Sequence, residues 1–165
     1  MDRQQIKRIK ADLLRHEGLR LKPYLCTAGK LTLGIGRNLE DRGISAEEAD
    51  FLLDQDVDHC IGELKTNLPW FEALVPDAQE VLVNLCFNLG MTRLLGFKLM
   101  LAALESGDWE ESAKQMLESK WATQVGPRAQ ELAQRVAGIG NQNRQLLEVL
   151  AEIKNQINVI EKRLR

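Results

Sequence analysis

The chain has 165 residues, 44% of them hydrophobic and 28% charged, which suits one domain with its own core and a short appendage. No run nears the roughly 20 apolar residues that cross a bilayer, and the charged start Met1-Asp2-Arg3 lacks the apolar stretch of a secretory signal, so membrane insertion and a leader are not expected. The net charge of -2 divides into +5 over residues 1–42, -11 over 43–118 and +4 over 119–165; with 5% aromatics and no basic motif among them, nucleic acid is a poor partner, whereas a basic N-terminal lobe suits another anionic polymer.

In chain order, Ile6, Ile9, Leu13 and Leu14 recur at helical spacing and predict a helix over 2–16, with Gly18 as its C-cap. From Leu19 to Gly36 the period becomes that of short strands, with a turn at Ala28-Gly29. The alternation Thr32, Gly34, Gly36 places three small residues on one strand face and leaves room there for a ligand. Ser45-Ala46-Glu47-Glu48 is a capping box opening a helix to about Lys65. Further helices are expected over 77–89, closed by Gly90, and over 92–104, closed by Ser106-Gly107. Another runs through Glu118 from a cap at Asp108, and one starts at Pro127 and continues through Val136, after which Gly138 and Gly140 break the chain.

The last segment carries a different pattern. Ile139, Asn143, Leu146, Leu150, Ile153, Ile157, Ile160 and Leu164 are spaced by alternating fours and threes, a heptad seam with Asn143, Leu150, Ile157 and Leu164 at a and the others at d. Leu at a with Ile at d leans toward trimers or tetramers. An amphipathic helix packed on its own domain fits the same pattern equally well. The expected organisation is therefore α+β, mostly α: a domain over 1–138 with a small hairpin lobe and a helical C-terminal lobe, then an amphipathic or coiled-coil helix over 139–165.

The chemistry concentrates in two segments. His16-Glu17-Gly18 ends the first helix, and Thr27 to Arg37 forms the Gly-rich hairpin that follows. The three cysteines, Cys26, Cys60 and Cys86, form no CxxC pair, and the two histidines stand apart, so no metal site, disulfide framework or Ser-His-Asp triad is expected.

The stretch from Glu17 to Arg37 resembles the active-site signature of phage-type lysozymes, glycoside hydrolase family 24: Glu, eight residues, Asp or Cys, five residues, Thr. Glu17, Cys26 and Thr32 fit it residue by residue. Asp54 to Asp58, Asn84 to Phe97, and Trp121 with Pro127-Arg128 extend the likeness over about residues 8–137. The resemblance implies a two-lobe lysozyme-like fold and hydrolysis of the β-1,4 bond between N-acetylmuramic acid and N-acetylglucosamine in peptidoglycan. It implies no cofactor. Glu17 would be the general acid, kept protonated by a partly apolar site. Cys26 stands where the best-known members carry Asp; as a thiolate it would act as base or nucleophile, and Lys22, Lys30 or Arg37 are candidates to lower its pKa. Thr32 would orient the attacking water. Phe87 and Gln115 align with residues that contact sugar, although the apolar helix around Phe87 favours core packing; Arg128 would pair with Glu17 or stand free on the surface, and Asn38, just after the hairpin, is a further candidate to touch sugar. Arg37 and Asp56 stand where the family often has a buried ion pair.

The implied setting is an endolysin made in the host bacterial cytoplasm, reaching the wall only after a holin-like partner permeabilises the membrane, with self-association through residues 139–165. Two rival readings are a weakly active or inactive wall-binding or structural oligomer, and a lytic transglycosylase.

Overall fold

The computed structural model describes residues 1–163. The first helix, α1 (Arg3–Glu17), starts at a reciprocal cap: the Asp2 carboxylate accepts from the Gln5 amide at 2.7 Å, and the Gln5 side chain accepts from the Asp2 amide at 2.7 Å. Gly18 stops it, with φ 72° and its amide donating to Leu14 O. A three-stranded antiparallel sheet follows in the order β1 (Arg20–Leu25), β2 (Leu31–Gly34), β3 (Arg37–Asn38). Tyr24 pairs with Thr32 and Leu25 with Leu31, while the register shifts between Arg20 and Tyr24. Pro23 lies in that shifted stretch, where the missing N–H costs no ladder bond.

The strand reading needs one correction. Leu33 pairs with Arg37 and β2 ends at Gly34, so Ile35-Gly36 is the connection between β2 and β3, and Gly36 lies in that turn rather than on the strand face beside Thr32. Gly34 and Gly36 both take positive φ, at 68° and 72°, which an L side chain accepts poorly.

The helix α2 (Ala46–Asn67) opens on the expected box: Glu48 N donates to Ser45 Oγ at 3.2 Å and Ser45 N donates to Glu48 Oε2 at 2.8 Å. The chain divides into two compact units, Met1–Leu53 and a second from Asp54 onward. The second holds the hydrophobic core. After a single 3-10 turn at Phe71–Ala73, α3 (Pro76–Leu89) buries Ala78, Val81, Leu82, Leu85 and Cys86 on one face. The stretch expected as one helix over 92–104 is two, α4 (Met91–Leu94) and α5 (Lys98–Ser106). Gly96 turns the chain between them with its amide on Arg93 O, and a methyl group there would sit 3.0 Å from that same oxygen. The helix α6 (Trp109–Leu117) is capped by Asp108, which accepts from the Glu111 amide at 3.1 Å. A short helix not expected from the sequence, α7 (Lys120–Val125), is capped by Ser119.

The helix α8 begins at Pro127 as expected but runs unbroken to Arg163, straight through Gly138 and Gly140. Two glycines cost a helix only about 1 kcal/mol each, and no proline removes a hydrogen bond. Gly140 has a packing reason: a methyl group there would lie 3.3 Å from Trp109 Cδ1, so the small residue lets α8 approach α6. Among the described side chains of α8, Ile139 is the last buried one, and Arg144 donates to Glu110 at 2.5 Å just beyond it. Leu164, at an a position of the heptad, lies outside the described residues. No helix is long and apolar enough to cross a membrane among the described residues.

Candidate active site

Three residues of the sequence signature fall in the first unit. Glu17 is the last residue of α1, fixed in place by the Gly18 stop, and its side chain is exposed. The turn residue Gly36 lies against it: a methyl group on residue 36 would stand 3.0 Å from Glu17 Oε2 and 3.3 Å from Cδ. Gly36 thus serves both the positive φ of the turn and the space of the carboxylate. The residues of this unit alone do not build the apolar surround expected for a general acid.

Cys26 follows the end of β1 and opens the turn to β2, with its amide donating to Lys30 O at 2.9 Å and its carbonyl accepting from the Gly29 amide at 2.8 Å. The thiol is partly exposed. Backbone amides of Lys30 and then Ala28 stabilise the thiolate and hold the group below the ordinary range of a thiol against an opposing desolvation. The expectation that basic side chains would do this is corrected. Lys30 is engaged by Asp41 at 3.0 Å and Glu40 at 3.5 Å, and Arg37 by the Glu48 carboxylate and by Gly43 O at 2.8 Å. Glu48, in turn, is held below the usual carboxylate range by the Ser45 amide and then by Arg37.

Thr32 is 3% exposed and is the one buried residue of the first unit. Its hydroxyl donates to Lys30 O at 2.9 Å, so it is oriented by the same turn that opens at Cys26. Asn38, paired with Thr32 across β2 and β3, is tied to Asp41: its Nδ2 donates to Asp41 Oδ2 at 2.8 Å and its Oδ1 accepts from the Asp41 amide at 3.1 Å. That turn occupies much of the amide that was expected to reach sugar.

The other three candidates belong to the second unit. Phe87 is 46% exposed on α3, so it is not the core residue its apolar neighbours suggested. Gln115 on α6 donates to Glu111 Oε1 at 2.8 Å and borders a recess of about 530 Å³ with Phe97, Leu99, Ser119 and Trp121. Trp121 is fixed in that wall by its Nε1, which donates to Asn88 Oδ1 at 2.7 Å, and by an edge-on contact with Phe97 at 6.4 Å between ring centres. Arg128, near the start of α8, forks onto Asn84: Nη2 donates to Oδ1 at 2.7 Å and Nε to the same atom at 3.0 Å. Cys60 and Cys86 are buried core thiols, and burial first, then the neighbouring Cys60, pushes Cys86 up to about 12.

Sequence reasoning missed three parts of this arrangement. The Ala28-Gly29 turn was legible, but not that the backbone of Ala28 and Lys30 would lower the pKa of the thiol. Gly36 was seen as small, not as the neighbour of Glu17. The Asn84 partner of Arg128 lies 44 residues away and carries no local signal.

An immediate test concerns Gly36→Ala. A left-handed φ costs a non-glycine residue roughly 1–2 kcal/mol, and the added methyl group displaces the Glu17 carboxylate. Thermal unfolding should show a loss of about that size. The clearing rate of permeabilised cells should fall by more than stability alone accounts for at a temperature where the variant stays folded. Full activity would remove Gly36 from the positioning of Glu17.

The family model described as phage lysozyme matches residues 14–138, leaving 139–165 outside. The pre-baseplate central spike protein Gp5 of Enterobacteria phage T4 is 30% identical over 145 residues, covering 71% of this chain and 25% of that protein. An endolysin of Acyrthosiphon pisum secondary endosymbiont phage 1 is 34% identical over 112 residues, covering 66% of this chain and 73% of the relative. A probable T4-type lysozyme of Dictyostelium discoideum is 25% identical over 149 residues, covering 72% and 87%. The chain thus spans a quarter of the spike protein it matches and most of the other two.

Proposed function

The chain belongs to the phage lysozyme family, and from that premise we propose that it hydrolyses the β-1,4 bond between N-acetylmuramic acid and N-acetylglucosamine in bacterial peptidoglycan, for lysis of the host at phage release. The observation that carries this reading is the signature on one unit: a carboxylate fixed at a helix end against Gly36, followed by a thiol opening the β1–β2 turn and a threonine on β2 bonded back to that turn.

In this reading Glu17 protonates the leaving glycosidic oxygen as positive charge develops on the sugar ring. Cys26, stabilised as thiolate by the amides of Lys30 and Ala28, accepts the proton of the attacking water or attacks the anomeric carbon itself. Thr32 orients that water through a hydroxyl fixed on Lys30 O. Phe87, by its exposed ring, offers a sugar a stacking face, and Asn38, Gln115 and Arg128 supply further contacts. The catalytic domain covers residues 1–138 and the C-terminal segment, 139–165, serves self-association. The enzyme acts on the wall from the host cytoplasm once a holin-like partner has opened the membrane.

Mass analysis of fragments released from purified peptidoglycan tests the reaction. Hydrolysis leaves a reducing N-acetylmuramic acid end, one water heavier than the anhydro-sugar of a transglycosylase. Exclusive anhydro ends would replace the hydrolase by that lyase, and no fragments from a folded protein would leave a wall-binding module.

A further inference from the structure

Beyond Ile139 the helix α8 leaves the core, and every large apolar side chain it carries between residues 146 and 160 is 47–66% exposed. Leu146, Leu150, Ile153, Ile157 and Ile160 occupy successive a and d positions, and Leu147 and Val149 flank the first of these layers at e and g. Most helices in proteins are stabilised chiefly through an apolar face that packs, rather than by propensity. This face packs on nothing in its own chain among the described residues.

We propose that the tails of three copies of this chain close a parallel three-helix bundle over residues 146–160, so that three lysozyme bodies hang from one stalk; this rests on the self-association reading above and fixes its stoichiometry. Three arguments select a second and third copy as the occupants. The first is spacing: alternating threes and fours match the seam of an identical helix, and a helix continuous with the core cannot fold back to cover itself.

The second is area. Seven apolar side chains, about half exposed, offer on the order of 700 Å² per chain, near the ~800 Å² per partner of a stable interface.

The third is layer chemistry. Leu150 at a above Ile153 at d, then Ile157 at a above Ile160 at d, are the two combinations that disfavour two-stranded coils. Leu147 and Val149 widen the seam beyond what a dimer covers. Lys154 at e and Gln156 at g, polar in the next heptad, limit it short of the broader contact a four-helix bundle would bury. A closed homotrimer has threefold symmetry, which requires parallel helices.

Sedimentation equilibrium of the full chain tests this, with Ile153→Glu as the comparison. The expected mass is three times the 18.7 kDa chain at concentrations above dissociation, falling to one chain for Ile153→Glu. Cell clearing per chain should persist in that variant, because residue 153 lies outside the family match. Twice or four times the chain mass would overturn the trimer and keep self-association. A single-chain mass at every concentration would overturn both. A trimer that survives Ile153→Glu would place the interface elsewhere and overturn the proposal. None of these outcomes touches the hydrolase reading, which stands or falls on the fragments.

Discussion

Glu17→Gln is expected to reduce clearing of outer-membrane-stripped cells by at least about 10²–10⁴-fold, the range supplied by a positioned general acid. The amide is nearly isosteric with the carboxylic acid but has no proton to give to the leaving oxygen. Glu17 is exposed and makes no ion pair among the described residues, so the substitution should change stability by no more than about 0.5 kcal/mol. The far-UV spectrum and unfolding midpoint should therefore match the natural chain. This separates catalysis from folding more cleanly than a core substitution can. Retained clearing by a folded Glu17→Gln protein would sink the assignment of the acid. Loss of clearing with a lowered midpoint would point to misfolding, and Glu17→Asp then serves as the second variant. It keeps an acid one methylene short and should recover only part of the rate.

The architecture was legible where local chemistry alone decides it. Ser45 with Glu48, Asp108, Pro127 and the Gly18 stop each fix a helix end through one side chain or one φ angle, and each was found where the sequence placed it. The errors share a different origin. Gly138 and Gly140 read as breakers because their helix cost is local, while the Trp109 ring that makes Gly140 useful lies 31 residues away in the chain. The single helix expected over 92–104 split because Gly96 bonds back to Arg93 O, a geometry with no periodic signature. Phe87 looked like core because its neighbours are apolar, yet it turns outward on α3 while Leu85 and Cys86 turn inward.

The candidate site divides the same way. Its residue types were readable, since carboxylate, thiol and hydroxyl are the chemistry. Its electrostatics were not: nearby lysine and arginine are visible in sequence, but whether they are already neutralised by Glu40, Asp41 and Glu48 depends on the fold. Backbone amides carry no sequence identity at all, and they supply the largest influence on Cys26.

That influence leads to the second large effect, a pH dependence with a definite sign. The amides of Lys30 and Ala28 lower the Cys26 pKa, so the thiolate forms as pH rises through a value below that of an ordinary thiol and is lost as pH falls through it. If the thiolate takes the water proton or attacks the sugar, clearing by the natural chain has an acid limb governed by Cys26. Cys26→Asp should move this limb down by several pH units, since a carboxylate ionises near 4 and a free thiol near 8.5. Activity at mildly acidic pH should then exceed that of the natural chain. Cys26→Ser cannot ionise in this range, so its limb should vanish and its rate fall by about 10²-fold or more. Cys60→Ser is the control, because Cys60 is buried in the second unit's core; it should lower the unfolding midpoint while leaving the position of the limb unchanged. Equal rates for Cys26→Ser and Cys60→Ser would remove the thiol from the mechanism and leave Glu17 with water held by Thr32. A limb that stays in place in Cys26→Asp would assign it to another group. A shifted limb with a restored rate would show that the turn between β1 and β2 is built to stabilise an anion, whichever side chain carries it.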